Sequence, residues 1–147
     1  MPSEQRKSRD GTGFSEAGDP LRRASRVQRH AATLNFDWPD VHGAIDKLRE
    51  EIAELDAALA GSASAGERGA ADEEVRDEIG DLLFAAVNVA RLAGVPADDA
   101  LADATRKFER RFGELLGLAG RLGVDPGAAS LAELDALWER VKRDEGS

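Results

Sequence analysis

The chain has 147 residues, with 20 Lys and Arg against 29 Asp and Glu, a formal charge of −9 and no cysteine. That length suits one domain with a small core. The acidic balance argues against a general nucleic-acid grip or an anionic membrane as partner, both of which call for a basic patch. The lack of cysteine removes disulfides and thiolate zinc sites. An anionic small molecule stays open, because a bound metal inverts the local field.

Residues 1–18 are polar and contain Gly and Ser, which predicts a disordered tail without the apolar run of a secretory signal. Asp19-Pro20 predicts a helix start, with Asp as N-cap and Pro at the first helical position, and the helix runs to about Leu34. NFDWPD (35–40) reads as a tight connection, since the residue before Pro39 avoids the α region. A second helix is expected from about Pro39 to Ala60. Along it Val41, Ile45, Leu48, Ile52, Leu55 and Leu59 step by 4 and 3 to form an apolar stripe.

GSASAGERGA (61–70) predicts a flexible loop, and a third helix follows over about 71–94 with Gly94 just past its end. Ile79, Leu82, Leu83, Phe84, Ala86, Val87, Val89 and Ala90 make this helix apolar nearly all round. Such a helix is expected to be buried on several sides, its core completed by a second subunit. Pro96 opens a fourth helix, to about 122, through Leu101, Phe108, Phe112, Leu115 and Ala119. A turn-rich linker then leads to a last helix over 131–144, marked by the Ser130 and Glu133 capping-box spacing. No stretch reads as a strand, and no apolar run has the length to span a bilayer. The expectation is an all-α cytoplasmic protein with four main helices and a short C-terminal one. Its organisation reads as a tail (1–18), a helical domain (19–122), and a linker with a C-terminal helix (123–147) that has room to serve as a lid.

Within this frame two acidic pairs stand out, Glu51 with Glu54 and Glu78 with Asp81, each spaced i, i+3 on an apolar helix. Residues so spaced share a helix face. On the second helix Glu51 lies about 75° and Glu54 about 135° from the centre of the apolar stripe, on one flank with Lys47. Glu50 points almost opposite the core. On the third helix Glu78, Asp81, Ala85 and Asn88 line one edge. Side by side, the two helices would bring four carboxylates together, an arrangement that makes sense if a cation neutralises them. Hard oxygen donors suit Mg²⁺ or Mn²⁺, and Mg²⁺ usually brings phosphates.

On the fourth helix Lys107, Arg111 and Glu114 flank the apolar face, and two cations there suit a polyphosphate. Plainer readings stand beside these. Acidic pairs on helix flanks are often solvated faces, and Lys107 and Arg111 have Asp103 and Glu114 within pairing distance along the helix. By spacing alone Asn88 reads first as a buried register-fixing amide, and Trp138 by default as packing, with a face for a base to stack on as the other reading.

The same residues carry a resemblance. EEIAE (50–54) followed by EIGD (78–81) is similar to the EExxE…ExxD signature of the MazG-like all-α nucleotide pyrophosphohydrolases. RVQRHAATLNFDWPDVHGAIDKLREEIAEL, DEIGDLLFAAVNVARLAG, RKFERRF and LDALWERVK resemble the C-terminal catalytic copy of that family, so the similarity covers about Leu21 to Leu118 and the end of the chain. The resemblance implies hydrolysis of a nucleoside triphosphate to monophosphate and pyrophosphate, with Mg²⁺ or Mn²⁺ held by Glu51, Glu54, Glu78 and Asp81. It also implies phosphate contacts from Lys107 and Arg111, and assembly as a homodimer or dimer of dimers. Lys47, Asn88 and Trp138 are further substrate-binding candidates by their own positions. Two positions depart from the pattern: Asn35 stands where Gly often precedes FDW, and Thr105 where Asn often precedes the basic run. Family members of different subtype (dimeric dUTPases, dCTPases, the phosphoribosyl-ATP hydrolase of histidine synthesis) share the four acids, so these do not name the base. A base-selective dUTPase-like, dCTPase-like or damaged-nucleotide pyrophosphatase is the alternative enzyme reading. A non-catalytic helical binding module is the remaining alternative.

Overall fold

The computed structural model describes residues 18–64 and 68–146, and among them there are five helices and no strand. The expected N-terminal tail lies outside the described residues except at its last position. The first helix, α1 (Pro20–Thr33), starts as its sequence dictates: Asp19 Oδ1 accepts from the Leu21 N–H at 3.0 Å, and Pro20 sits where no N–H is needed. It ends in a Schellman turn, with the Asn35 N–H donating to Ala32 O (3.1 Å) and the Phe36 N–H to Ala31 O (3.0 Å). Asn35 takes φ +61° to close that turn. Asn tolerates this left-handed conformation better than most residues other than Gly, which suits it to the turn.

Asp40 caps α2 (Val41–Ser64), its Oδ1 accepting from the N–H groups of His42 (2.8 Å) and Gly43 (3.2 Å). The helix continues past the expected end at Ala60, and α3 (Arg68–Leu92) begins before the expected start. Of the predicted loop over 61–70, residues 61–64 and 68–70 are therefore helical, and 65–67 lie outside the described residues. Gly94, at φ +74°, closes α3 in a second Schellman turn, with Gly94 N–H to Arg91 O and Val95 N–H to Ala90 O. Next comes α4 (Ala97–Leu122), and α5 (Leu131–Glu145) opens with the full Ser130–Glu133 capping box. No single helix among the described residues is long and apolar enough to cross a membrane.

The chain forms two compact units, the first ending at Asp98 and the second beginning at Asp99. In the first, α1 and α2 pack on α3. The buried residues of this unit are Ala44, Glu51 and Ala58 of α2, spaced by 7, with Ala85 and Val87 of α3 and Gln28 of α1. The expected stripe is buried in part: Val41, Ile45, Leu48 and Leu55 are half-buried, whereas Ile52 and Leu59 are about half exposed, as are Ile79 and Leu83 of α3. The most buried positions of α2 are its alanines and Glu51. Within a single chain α3 is thus not buried on several sides. In the second unit Leu115, Leu118 and Ala119 of α4 pack against Leu137 and Val141 of α5, with Val124, Leu134 and Trp138 around them.

The conformational role of Asn35 is testable in urea. Asn35→Ala is expected to lower the unfolding free energy by about 1 kcal/mol, whereas Asn35→Gly leaves it within a few tenths. Equal losses in both variants would contradict that role.

Candidate active site

The α2 packing line carries a carboxylate into the seam: Glu51 is 3% exposed. One turn earlier, Lys47 Nζ lies 2.5 Å from Glu51 Oε1 and 3.6 Å from Glu50, whose side chain is largely in solvent. The hydrogen bond to Glu51 raises the Lys47 pKa, against the opposing effect of burial and with added pull from the charges of Glu51, Glu54 and Glu50. The other oxygen, Glu51 Oε2, is buried and has no hydrogen-bond partner. Glu78 on α3 is in the same condition, its Oε2 buried and unpartnered.

Glu51, Glu54 and Glu78 each bring one oxygen within 4.8 Å of the other two. Burial, followed by the charges of Glu54, Glu51, Asp81 and Asp77, pushes the Glu78 carboxyl above the ordinary value. Hard anionic oxygens that are crowded, buried and unsatisfied suit a divalent cation such as Mg²⁺ or Mn²⁺. The donor set therefore fits a metal. Asp81, one turn beyond Glu78, stands outside the close trio and is exposed, lining the adjoining cleft with Lys47 and Glu51.

That cleft, about 650 Å³ in volume, belongs wholly to the first unit. Val27, Gln28 and Ala31 of α1, the 35–38 connection, and Phe84, Ala85, Asn88 and Arg91 of α3 complete its wall. Phe36, Trp38 and Phe84 present exposed aromatic surface. Trp38 packs close over Gly43, where a Cβ would stand 3.2 Å from Trp38 Cε3.

The connection is tied down by a forked ion pair. Arg91 Nη1 donates to Asp37 Oδ2 at 3.0 Å, and Nη2 donates to Oδ1 at 2.6 Å. Arg91 Nη2 also donates to Asn88 Oδ1 at 2.9 Å, which leaves the Asn88 NH₂ as the amide's other polar group. The Asp37 carboxyl is held below its usual value by Arg91 first, against some desolvation, with help from the Trp38 N–H. Gln28, almost fully buried, donates from Nε2 to Phe84 O at 2.9 Å, while its Oε1 has no partner.

Sequence reasoning passed over Gln28, Asp37, Arg91 and Phe36. Gln28 had a signal, as a polar residue set in the i, i+3, i+4, i+7 line of Ala24, Val27 and Ala31. The Asp37–Arg91 pair joins positions 54 apart, and local spacing carries no trace of it.

Lys107, Arg111 and Trp138 belong to the second unit. Arg111 pairs with neither of its helical neighbours. Its Nε and Nη2 both reach Glu145 Oε2 at 2.8 Å. Arg110 Nη2 reaches Oε1 of the same carboxylate at 3.1 Å. Asp103 is taken by Arg106, and among the described residues Lys107 is exposed and in no ion pair. Trp138 packs on Phe108, ring centroids 5.4 Å apart, and Thr105 Oγ1 donates back to Leu101 O at 2.9 Å.

Comparison with known proteins bears on this arrangement. Residues 39–115 match the model of the MazG nucleotide pyrophosphohydrolase domain. The chain is 36% identical over 125 residues to the nucleoside triphosphate pyrophosphohydrolase of Escherichia coli K12, covering 85% of this chain and 45% of that protein. It is also 36% identical over 123 residues to the nucleoside triphosphate pyrophosphohydrolase/pyrophosphatase MazG of Thermotoga maritima, covering 83% and 44%. The uncharacterized protein YabN of Bacillus subtilis is 38% identical over 74 residues, half of this chain and 15% of its own length. The chain thus spans less than half the length of the first two relatives.

The Asp37–Arg91 tie has a defined pH signature. Because Asp37 is lowered, the tie stabilises the fold above the ordinary value of 3.8 and is lost as pH falls through the lower folded value. Asp37→Asn is expected to cost about 1–2 kcal/mol at neutral pH and little well below 3.8. Urea midpoints at the two pH values check this, and a pH-independent loss would contradict it.

Proposed function

The chain belongs to the MazG nucleotide pyrophosphohydrolase family, and on that premise we propose that it hydrolyses nucleoside triphosphates to the monophosphate and pyrophosphate. The observation that carries the proposal is the crowding of Glu51, Glu54 and Glu78, with two buried unpartnered oxygens, at the edge of a cleft of nucleoside size. These three residues would hold the metal, with Asp81 beside them. A bound Mg²⁺, or Mn²⁺ in its place, would supply a Lewis acid for the phosphates and an acidified water.

The remaining work falls to the chain's own groups. Lys47 holds Glu51 by Oε1 and so fixes the carboxylate, which leaves the buried Oε2 for a metal. Glu54, the exposed member of the trio, is our candidate for the carboxylate that orients the attacking water. Phe36, Trp38 and Phe84 offer aromatic surface to a base, and Asn88, its carbonyl held by Arg91, offers its NH₂ to an acceptor. Lys107 and Arg111 are assigned to the phosphates, where fixed positive charge stabilises the leaving pyrophosphate. Trp138 we leave to packing.

A second copy of the chain would cover Ile52, Leu59, Ile79 and Leu83, making the enzyme a homodimer or a dimer of dimers. A nucleotide-pool role in the cytoplasm follows from the substrate class. The fixed amides of Gln28 and Asn88 in the cleft favour an enzyme that selects among bases over a non-catalytic module.

Product analysis tests the reading. Purified protein with Mg²⁺ and a panel of canonical and modified triphosphates should release pyrophosphate and monophosphate, and orthophosphate alone would contradict it. Glu78→Gln is expected to lower kcat/KM on the order of 10²-fold or more with helicity unchanged, and wild-type turnover in that variant would remove Glu78 from the metal site.

A further inference from the structure

Glu145 stands in the last turn of α5, where a negative charge meets the negative end of the helix dipole and is locally unfavourable. Lys142 and Arg143 in the same turn have the sign the dipole favours. What holds Glu145 there is α4. Both of its oxygens are taken, Oε2 by the Nε and Nη2 of Arg111 and Oε1 by Arg110. Two adjacent guanidinium groups thus converge on one carboxylate, the arrangement that binds a phosphate group equally well. Arg111 foremost, and then Arg110, holds this carboxyl below its ordinary pKa, against the opposing effect of burial.

We infer that Glu145 is an internal competitor for phosphate, whose carboxylate holds Arg110 and Arg111 in the free protein and gives them up to the phosphate chain of a nucleotide or to pyrophosphate. The inference rests on the assignment of Arg111 to the phosphates and adds a regulation of that contact. Ion pairs open to solvent are weak. Arg111 and Glu145 are each about a quarter exposed and Arg110 more than half, so solvent reaches the pair. Pyrophosphate carries more negative charge than one carboxylate and can take both guanidinium groups. Such a competitor weakens substrate and product binding alike. It keeps the arginines from holding pyrophosphate after the reaction, and it shields two cations from adventitious anions when no nucleotide is present.

The test is calorimetric titration of the full chain with inorganic pyrophosphate. Glu145→Gln is expected to bind pyrophosphate about two- to fivefold more tightly than the wild type, the gain that losing one weak surface pair allows. KM for the triphosphate should fall by a similar factor. The shorter Glu145→Asp should behave likewise, since its carboxylate cannot span both arginines. Adding Arg111→Gln to Glu145→Gln should abolish the gain. A purely structural role predicts the opposite sign, because loosening α5 would weaken binding. Unchanged or weaker pyrophosphate binding in Glu145→Gln, a gain that survives Arg111→Gln, or no binding to either protein overturns the inference. Tighter binding without hydrolysis would count against the proposed activity alone, and hydrolysis with unchanged pyrophosphate affinity against the competitor alone.

Discussion

A carboxylate sits in the seam between two helices with one oxygen answered by a lysine and the other by nothing. The site depends on that constraint. Glu51 enters the seam because the packing line of α2 is otherwise alanine, Ala44 above and Ala58 below, and small residues let α3 come close. The close approach sets Glu78 opposite Glu51 and Glu54. Lys47 answers one of the three charges. The rest of the electrostatic cost, visible in the raised proton affinity of Glu78, is what a divalent cation would relieve. Fold and chemistry are coupled here: larger side chains in the α2 line would push the helices apart and dissolve the cluster.

The cleft beside the trio follows from a second tie. The forked Asp37–Arg91 pair holds the connection after α1 against α3, which fixes Phe36 and Trp38 at the rim and at the same time orients the Asn88 amide. The left-handed turn at Asn35 brings the chain to that position, and Gly43 gives the Trp38 ring its place. Backbone conformation and one ion pair thus shape the recognition surface, while the carboxylates supply the reactive end. Within the second unit, Arg110 and Arg111 are held by a carboxylate of its own last helix.

The sequence made much of this legible. Spacing alone put Glu51 with Glu54 and Glu78 with Asp81, and the family resemblance supplied a chemistry for them. The capping signals at Asp19, Gly94 and Ser130 located helix ends closely, because caps are local. On α2 the most buried positions are Ala44, Glu51 and Ala58, while the Val, Ile and Leu stripe is buried only in part, Ile52 and Leu59 standing exposed in the single chain. Counting large apolar residues does not find the centre of a face that packs through its smallest side chains. Residues 61–64 and 68–70 are helical despite their glycines and serines. Contacts between distant positions, Asp37 with Arg91 and Arg111 with Glu145, were beyond any local pattern.

The account's central claim is that Glu51, Glu54 and Glu78 are held together at a cost that a divalent cation offsets. Thermal unfolding of the full chain as a function of Mg²⁺ concentration, at constant ionic strength and without nucleotide, tests it most directly. Tm should rise progressively with Mg²⁺ as binding to the native state is linked to folding. Glu78→Gln should be at least as stable as the wild type without metal and gain little from it. A wild type indifferent to Mg²⁺, or a Glu78→Gln protein that gains as much as the wild type, would contradict the claim.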